Sequence, residues 1–312
     1  MVDPPARHRP VMVPEVLEAL APRPGALLLD GTVGPGGHAE AWLEAAGEGA
    51  ELIGLDRDAS ALALARRRLQ RFGERVRLFH CDYREAPALL DRLGRRPDAV
   101  LLDLGLGSHQ VDDPERGFSF RLDGPLDMRF DRDRPGPTAA EILAHASEPE
   151  LARILSEYGE ERAAKKLARR LVEARKRRPF RTTRELADFV RGVVPARGRR
   201  RLDPATRTFQ ALRIAVNDEL SGLAEALSGL VERLPAGGRI AVIAFHSLED
   251  RIVKRTLRRL AEPCRCRRGD PCTCGALQWI ELVQRRALRP DPGEVAANPR
   301  ARSARLRWGV RR

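Results

Sequence analysis

Aromatic residues and lysine are scarce in this sequence. Only 4% of its 312 residues are Phe, Trp or Tyr, so the aromatic platforms on which single-stranded nucleic acids stack are not indicated. Lysine occurs at positions 165, 166, 176 and 254 only, and arginine therefore carries most of the positive charge behind the formal net charge of +13. A charge of this sign favours a polyanionic partner such as nucleic acid, although an arginine-biased composition has the same effect.

Long apolar runs are lacking as well, and cysteine is sparse. No stretch has the length needed to cross a bilayer and no signal peptide precedes His8, so we expect a cytoplasmic protein. Four of the five cysteines form a C-x-C-x5-C-x-C pattern: Cys264, Cys266, Cys272 and Cys274. The pattern departs from the C-x2–4-C pairs of zinc sites, and disulfides are rare in the cytosol. We therefore assign no metal, while zinc and a flexible thiol-bearing loop both stay open.

A glycine-rich loop follows the first apolar segment. Residues 26–30 predict a strand, and residues 31–38 contain Gly31, Gly34, Gly36 and Gly37. Glycine lets a ligand approach the backbone closely because it has no Cβ. A second apolar run ends at Asp56, whose carboxylate suits the two hydroxyls of a ribose. The pairing of loop and acid predicts a nucleotide-type cofactor site rather than an ordinary tight turn.

The spacing of these glycines bears on which cofactor binds. The loop lacks the G-x-G-x-x-G spacing that places a pyrophosphate on a helix N-terminus. S-adenosylmethionine has a ribose and an adenine but no phosphate. The loop therefore favours methyl transfer over hydride transfer by a nicotinamide cofactor.

Strand and helix patterns alternate over the first hundred residues. Four apolar segments predict strands: 26–30, 51–55, 76–79 and 98–104. The intervening helical patterns indicate a doubly wound parallel sheet. Such sheets bind ligands at the carboxyl ends of their strands, where we place both Asp56 and Asp103.

The alternation stops near Asp112. Helical periodicity then continues to about Gln210, and three helix starts are predicted there: Ser147 with Glu150, Thr182 with Glu185, and Asp203 before Pro204. A strand-like segment returns at 237–245. We therefore predict an α/β domain in two parts, residues 1–111 and 212–312, with a helical substrate-recognition domain inserted over residues 112–211.

The insertion is rich in cations. They include Arg162, Lys165, Lys166, Arg169, Arg170, Arg175, Lys176, Arg177 and Arg178, followed by Arg197, Arg199, Arg200 and Arg201. Such a run is often only a solvated helix face. Because few acids lie among these cations, we favour a surface that faces nucleic acid. The arginines of residues 300–312 pose the same question with a weaker case.

Several longer segments carry a specific resemblance. They are His8–Val11, Asp30–Thr32, Gly36–His38, Asp56–Asp58, Asp103–Gly105, Arg116–Phe120, Leu126–Arg129, Pro204–Ile214, Asn217–Leu220 and Phe245–Arg251. Together they resemble the bacterial ribosomal RNA small subunit methyltransferase H (MraW) family. The resemblance implies a class I, Rossmann-like S-adenosylmethionine-dependent methyltransferase with an inserted helical domain. It also implies N4-methylation of a decoding-site cytidine in 16S rRNA, with the assembled small subunit as the expected partner.

The resemblance further implies which residues contact the cofactor. They are Gly36, Gly37, His38, Asp56, Tyr83, Asp103 and Gln110. This chain has Gly107-Ser108-His109-Gln110 where the family usually reads Ser-Ser-Pro-Gln. The departure leaves Ser108 and Gln110 in place and removes support for Gly107 and His109.

Asp103 is the candidate catalytic residue. Cytosine N4 is a poor nucleophile because its lone pair is delocalised, so an enzyme must orient the amine and accept hydrogen bonds from it. A carboxylate pairs naturally with this amine, and cofactor binding is the equal alternative for Asp103. His246 is a second, weaker candidate, and Ser247 with Asp250 predicts a capping box for the next helix.

Two other functions stay open at this point. One is a methyltransferase acting on another RNA or on DNA, although the chain lacks the Asp/Asn-Pro-Pro-Tyr/Phe loop of many exocyclic-amine methyltransferases. The other is a non-catalytic RNA-binding assembly factor that retains a cofactor fold. The sequence gives no indication of oligomeric state.

Overall fold

The computed structural model describes residues 10–194, 203–262 and 278–312, together with residues 266, 271, 273 and 274. Some sequence features discussed above lie outside this part of the chain: His8, Arg9, the arginines of residues 197–201, Cys264 and Cys272. The four-cysteine pattern is therefore not described as a whole. Within the described ranges, every helix is too short or too polar to cross a membrane.

The chain forms two compact units. The first comprises the residues up to Gly105 and from Ser221 onward, and the second is Leu106–Leu220. The chain thus leaves the first unit two residues after Asp103. It returns nine residues beyond the boundary expected at residue 212.

The first unit contains a seven-stranded sheet of order β3-β2-β1-β4-β5-β7-β6. The strands are β1 (Leu27–Asp30), β2 (Glu51–Asp56), β3 (Val76–His80), β4 (Ala99–Asp103), β5 (Arg239–Ala244), β6 (Ile280–Leu282) and β7 (Arg305–Arg311). Strands β1 to β5 run parallel, and β7 is antiparallel to both β5 and β6. The predicted class I α/β fold is confirmed. The antiparallel edge formed by β6 and β7 was not predicted.

The strand order reverses at β1, which pairs with β2 on one side and β4 on the other. Ligands of open α/β sheets bind in the crevice at such a reversal, beyond the carboxyl ends of the strands. Asp30 pairs with Leu101 in the register of β1 and β4, so Asp30 and Asp103 end neighbouring strands at this crevice.

Thirteen α-helices are described. They are α1 (Val13–Leu20), α2 (Gly37–Ala46), α3 (Ala59–Leu69), α4 (Ala86–Leu93), α5 (Ser108–Asp112), α6 (Ala139–His145), α7 (Glu148–Glu157), α8 (Ala164–Arg175), α9 (Thr183–Val193), α10 (Ala205–Asn217), α11 (Leu223–Arg233), α12 (Ser247–Ala261) and α13 (Pro292–Ala297). Helices α5 to α10 belong to the second unit and the others to the first.

The sheet is buried on both faces. Alternate residues of β1 point into different cores: Leu28 packs with α1, α2 and α3, and Leu29 packs with α4, α11 and α12. Strands covered on both sides are apolar at almost every position. This explains why β1, β2, β4 and β5 were recognisable as uninterrupted apolar runs.

The second unit is helical, as predicted, with its own apolar core. The three predicted helix starts are confirmed. Ser147 Oγ accepts a hydrogen bond from the Glu150 amide, Thr182 and Glu185 cap each other reciprocally, and Asp203 Oδ1 accepts one from the Ala205 amide. These caps satisfy amide groups that have no partner inside their helices.

Candidate functional site

Two aspartates end the neighbouring strands β1 and β4, and Thr32 links them. Asp30 is 1% exposed, and its Oδ1 accepts a hydrogen bond of 3.1 Å from the Thr32 amide. Thr32 Oγ1 in turn accepts one of 2.6 Å from the Asp103 amide. The hydroxyl therefore fixes the backbone of Asp103 relative to the glycine loop. The sequence pattern predicts no role in the site for Asp30 or Thr32 beyond the loop that they open.

Asp30 is unusual because it is a buried acid. Burial raises the pKa of Asp30 to about 8, the negative charges of Asp103 and Asp56 add to the increase, and the Thr32 hydrogen bonds oppose it. Its carboxyl is therefore mainly protonated at neutral pH. In the sequence, Asp30 is an Asp at the end of an apolar strand. That pattern does not distinguish a buried acid from one in solvent.

The glycine loop leaves no room for side chains along β4. A Cβ on Gly31 would lie 2.4 Å from Leu102 Cδ2, closer than atoms tolerate. Gly36 has a φ of +85° and forms the N-cap of α2, whose first two residues are Gly37 and His38. Positive φ is readily accessible to glycine. The loop thus turns tightly into α2 and exposes backbone rather than side chains.

Asp56 supports this loop directly. Its Oδ2 accepts a hydrogen bond of 2.8 Å from the Gly34 amide, and its Oδ1 accepts one of 2.8 Å from the Asp58 amide. Each carboxylate oxygen has two lone pairs, so these two amide hydrogen bonds do not by themselves prevent Asp56 from accepting the hydroxyls of a ribose. The structure therefore gives the predicted ribose acid a second role, which is to hold the glycine loop in place.

Tyr83 follows β3 and is 9% exposed. A Cβ on Gly31 would lie 3.1 Å from Tyr83 Cβ, so the tyrosine backs the start of the loop. The preceding Asp82 pairs with Arg57 at 3.1 Å and with Arg84 at 2.8 Å. Burial alone would raise the pKa of Asp82, but hydrogen bonds from Arg84 and the charge of Arg57 hold it below its ordinary value. This ionised cluster fixes the turn that carries Tyr83.

His38 bridges the N-terminal segment and Asp103. Its Nε2 lies 2.8 Å from the Val11 carbonyl oxygen. A carbonyl only accepts hydrogen bonds, so Nε2 carries the proton. Burial lowers the pKa of His38, and the ring is therefore neutral. Its other nitrogen, Nδ1, lies 3.5 Å from Asp103 Oδ2 and faces it as an unprotonated acceptor.

Asp103 is poised to hold or release a proton. Burial raises the pKa of Asp103 to about 7, and the negative charge of Glu249 adds to the increase. Its Oδ1 is shielded from solvent and has no hydrogen-bond partner among the described residues. Asp103 therefore presents one oxygen to His38, while the hydrogen-bonding capacity of the other is unused among the described residues. An acid with a pKa near the working pH suits general acid–base catalysis.

The start of α12 corrects one prediction. The N-cap of α12 is His246, whose Nδ1 accepts a hydrogen bond of 3.5 Å from the Glu249 amide. The predicted box of Ser247 with Asp250 is therefore wrong. Asp250 instead pairs with Arg305 and Arg307 on β7, at 2.8 and 2.7 Å. The sequence did not place β7, so these competing cations were not foreseen.

The sequence pattern does not predict a role for Glu249 either. It is 2% exposed, and its Oε2 accepts a hydrogen bond of 3.0 Å from the Phe245 amide just beyond β5. His246 Nε2 lies 3.1 Å from its Oε1. The sequence showed His246 as the chemical candidate, whereas in the structure His246 caps α12 and lies beside a buried acid.

Gln110 belongs to the second unit. Its side chain is buried on α5, and its Oε1 accepts a hydrogen bond of 3.0 Å from the Gly107 amide. Gln110 thus closes the first turn of α5, and its contact with a cofactor stays a prediction.

The cations of the second unit fall into two groups. Arg175 is structural, because its Nη1 donates hydrogen bonds of 2.7 and 2.6 Å to the carbonyls of Leu143 and Ala146 at the end of α6. Arg178 pairs with Glu185 at 2.5 Å. The remaining cations around α8 are exposed: Arg162, Lys165, Lys166, Arg169, Arg170, Lys176 and Arg177.

Comparison with known proteins decides the family, since residues 5–312 match the MraW methylase family. The chain belongs to the MraW methylase family. It is a methyltransferase, and its methyl donor is S-adenosyl-L-methionine.

Members of the family from several bacteria are close relatives. The "Ribosomal RNA small subunit methyltransferase H" of Citrifermentans bemidjiense is 52% identical over 303 residues, which cover 96% of this chain and 97% of the relative. The protein of the same name from Symbiobacterium thermophilum is 50% identical over 307 residues, or 97% and 96% of the two chains. A crystal structure of an rRNA methylase from Streptococcus thermophilus aligns at a TM-score of 0.42 and 11% identity, covering 96% and 93% of the two chains.

The crevice at β1 and β4 fits S-adenosylmethionine. The Gly31 backbone lies where a side chain would collide with β4, and the Asp56 carboxylate, which accepts the Gly34 and Asp58 amides, ends the neighbouring strand β2. Asp103 Oδ1 supplies a polar group with no partner among the described residues. We propose that residues of the first unit hold the cofactor there, namely Gly36, Gly37, His38, Asp56, Tyr83 and Asp103.

Proposed function

We propose that this chain methylates N4 of a decoding-site cytidine in 16S rRNA. The names of its relatives support small-subunit rRNA as the substrate. The choice of an amine is supported chiefly by one observation: Asp103 Oδ1 is shielded and has no hydrogen-bond partner among the described residues, at the carboxyl end of β4. A carboxylate in that position suits the N–H groups of cytosine N4.

Asp103 has two tasks in the proposed reaction. S-adenosylmethionine supplies an electrophilic methyl group when bound. The carboxylate of Asp103 accepts a hydrogen bond from one N4 proton and orients the nitrogen lone pair toward that methyl group. As the new N4–C bond forms, the bond between that methyl group and the donor's sulfur breaks, the nitrogen becomes acidic, and its proton passes to the Asp103 carboxylate. Since burial raises the pKa of Asp103 to about 7, the carboxyl then returns this proton to solvent near neutral pH.

Each ring nitrogen of His38 faces a different partner. Nε2–H is held by the Val11 carbonyl, and Nδ1 faces Asp103 Oδ2 at 3.5 Å. When the proton of the Asp103 carboxyl lies on Oδ2, Nδ1 accepts a hydrogen bond from it. His38 thus stabilises the protonated state that Asp103 reaches once the amine has lost its proton.

The helical unit is proposed to bind the RNA backbone. A paired or stacked cytosine must leave its neighbours to reach the Asp103 carboxylate at the end of β4, so the enzyme must hold the RNA on either side of that nucleotide. The exposed cations along α8 support this role because phosphate contacts from Lys and Arg dominate nucleic-acid affinity. We propose that the reaction takes place in the cytoplasm on the assembled small subunit.

Methyl transfer from labelled S-adenosylmethionine tests the proposal. Naked 16S rRNA and assembled 30S particles lacking the modification would be supplied in parallel, and the modified nucleoside identified by mass spectrometry. We expect N4-methylcytidine at the decoding site, with the particle as the better substrate. A methyl group on carbon 5, or on a nucleotide elsewhere, would contradict the assignment. Cofactor binding without transfer to either RNA would favour the non-catalytic assembly factor.

A further inference from the structure

Glu294, on helix α13, contacts the N-terminal segment of the same unit. Its Oε1 accepts a hydrogen bond of 2.7 Å from the Met12 amide, across 282 positions of sequence. Met12 has a φ of +57° and a fully buried side chain. A left-handed backbone is uncommon for such a residue and persists only where the surroundings hold it. The Glu294 hydrogen bond is one of the contacts that hold it.

The Met12 amide and the Val11 carbonyl belong to one peptide group. That group is planar, and its N–H and C=O point in opposite directions. On one side the N–H donates to Glu294 Oε1, and on the other the C=O accepts from His38 Nε2. The peptide group is thus fixed between a carboxylate and an imidazole.

The two hydrogen bonds reinforce each other. A carboxylate at the N–H polarises the amide and makes its carbonyl oxygen a stronger acceptor. The stronger acceptor favours the proton of His38 on Nε2, and Nδ1 is then an acceptor toward Asp103. The contacts thus run from the Glu294 carboxylate through the Val11–Met12 peptide group and the His38 imidazole to the Asp103 carboxyl.

We propose that Glu294 is a positioning residue for Asp103. Through the Val11–Met12 peptide group it fixes His38 in the tautomer whose Nδ1 faces Asp103 Oδ2. The proposal rests on the proposed catalytic role of Asp103 for its effect on rate. The effect on the His38 tautomer is independent of that role.

The surroundings of Glu294 are acidic. Carboxylate oxygens of Glu15, Asp291 and Glu294 all lie within 4.8 Å of one another. Asp291 Oδ1 accepts the amides of Gly293 and Glu294 and so caps α13. Asp291 therefore stabilises the same helix without contacting Met12, which makes it a matched control.

The test uses the full chain labelled with 15N-histidine. Long-range 1H–15N spectra report which ring nitrogen carries the proton, and the His38 signals are assigned by their loss in His38→Gln. In the wild type we expect the Nε2–H tautomer. In Glu294→Ala and Glu294→Leu, which remove the acceptor, we expect a mixture of both tautomers. Glu294→Gln retains an acceptor oxygen, and there we expect the wild-type tautomer.

Thermal unfolding and single-turnover methyl transfer are measured on the same variants. We expect the transfer rate of Glu294→Ala to fall about tenfold, the order for losing a hydrogen bond to a charged group. Asp291→Ala should lose stability without changing the tautomer or the rate. Glu294→Leu removes the acceptor but fills the space left by the side chain. If Glu294→Ala does not fold, the His38 tautomer is measured in Glu294→Leu instead.

Two results separate this proposal from the proposed function. An unchanged His38 tautomer in Glu294→Ala or Glu294→Leu would overturn the positioning role. A shifted His38 tautomer in the Glu294 variants would support the positioning of His38. If Asp103→Asn were fully active at the same time, the catalytic role of Asp103 would be overturned.

Discussion

At the scale of single residues, the acids at the strand ends differ in how their oxygens are satisfied. Asp56 accepts two backbone amides, Asp103 leaves Oδ1 without a partner among the described residues, and Asp30 is buried beside Thr32. A desolvated acid tends to hold its proton, and burial raises the pKa of both Asp30 and Asp103. One crevice thus contains acids suited to different tasks.

The first prediction concerns Asp56→Ala. Two ribose hydroxyls would lose a charged acceptor, and the Gly34 amide would lose its partner. Hydrogen bonds to charged groups contribute roughly 1.5–3 kcal/mol each, so we expect S-adenosylmethionine affinity to fall about tenfold or more. Calorimetric titration measures the affinity, and thermal unfolding separates it from loss of the fold. Unchanged affinity in a folded variant would remove Asp56 from the cofactor site.

The second prediction concerns Asp103→Asn. Asparagine keeps the shape of the side chain but cannot take a proton from the amine. We expect the single-turnover rate to fall on the order of 10²-fold with saturating cofactor and RNA, while RNA affinity stays close to that of the wild type. If the two rates agree, Asp103 is not the acceptor. Equal RNA affinity in both proteins serves as the control.

The third prediction concerns the pH dependence of stability. The pKa of Asp30 is raised from 3.8 to about 8, so its contribution is fully present below about pH 4 and is lost as the pH rises through 8. One pKa unit corresponds to about 1.4 kcal/mol, so we expect the free energy of unfolding to fall by a few kcal/mol over this range. Asp30→Asn should flatten the decline.

Urea unfolding at several pH values between 5 and 8 checks this expectation. Asp82→Asn is the control, because the pKa of Asp82 is lowered and its contribution is lost only in acid. Asp103, whose pKa is raised to about 7, leaves a residual slope in Asp30→Asn. Equal slopes in the wild type and Asp30→Asn would show that Asp30 is not the buried group that titrates.

At the scale of elements, α8 shows how a basic run divides between structure and surface. Arg175 caps the end of α6 through two carbonyls. Lys165 and Arg169 lie one turn apart on α8, are exposed, and have no ion pair with an acid of the described residues. A substitution that mixes these groups would confuse loss of stability with loss of RNA affinity.

The fourth prediction therefore uses two variants. Reversing Lys165, Arg169, Lys176 and Arg177 to Glu should weaken RNA binding and flatten its salt dependence, by close to one released counterion for each lost phosphate contact. Cofactor affinity should not change. Arg175→Ala should lower stability and leave the salt slope as in the wild type. Parallel slopes for the wild type and the reversed variant would mean that α8 does not face the RNA.

Strands differed in how far the sequence predicted them, for a physical reason. Strands β1, β2, β4 and β5 are covered on both faces and read as apolar runs. Strand β7 reads Arg-Leu-Arg-Trp-Gly-Val-Arg over Arg305–Arg311, and only part of it is buried. The same arginines first suggested a basic tail. Two of them, Arg305 and Arg307, instead hold Asp250.

At the scale of the whole molecule, the candidate site residues that the sequence predicts are those that directly follow an apolar strand. Asp56 and Asp103 each follow an apolar run, and parallel strands bring their carboxyl ends to one edge. The charge of Glu249 raises the pKa of Asp103 from a distant part of the chain, and Glu294 accepts a hydrogen bond from the Met12 amide across 282 positions. No local pattern encodes such a contact, so these two acids required the structure.

The sheet order has a consequence for the synthesis of the chain. Strand β7 pairs Val310 with Arg239 and so lies between β5 and β6, although it is made after both. Until residues 305–311 have left the ribosome, β5 has an unpaired edge, and such edges recruit other chains. Nascent chains paused before this point therefore expose an edge of β5 with which other chains can pair. The last pairing of the sheet both closes that edge and brings the partners of Asp250 to α12.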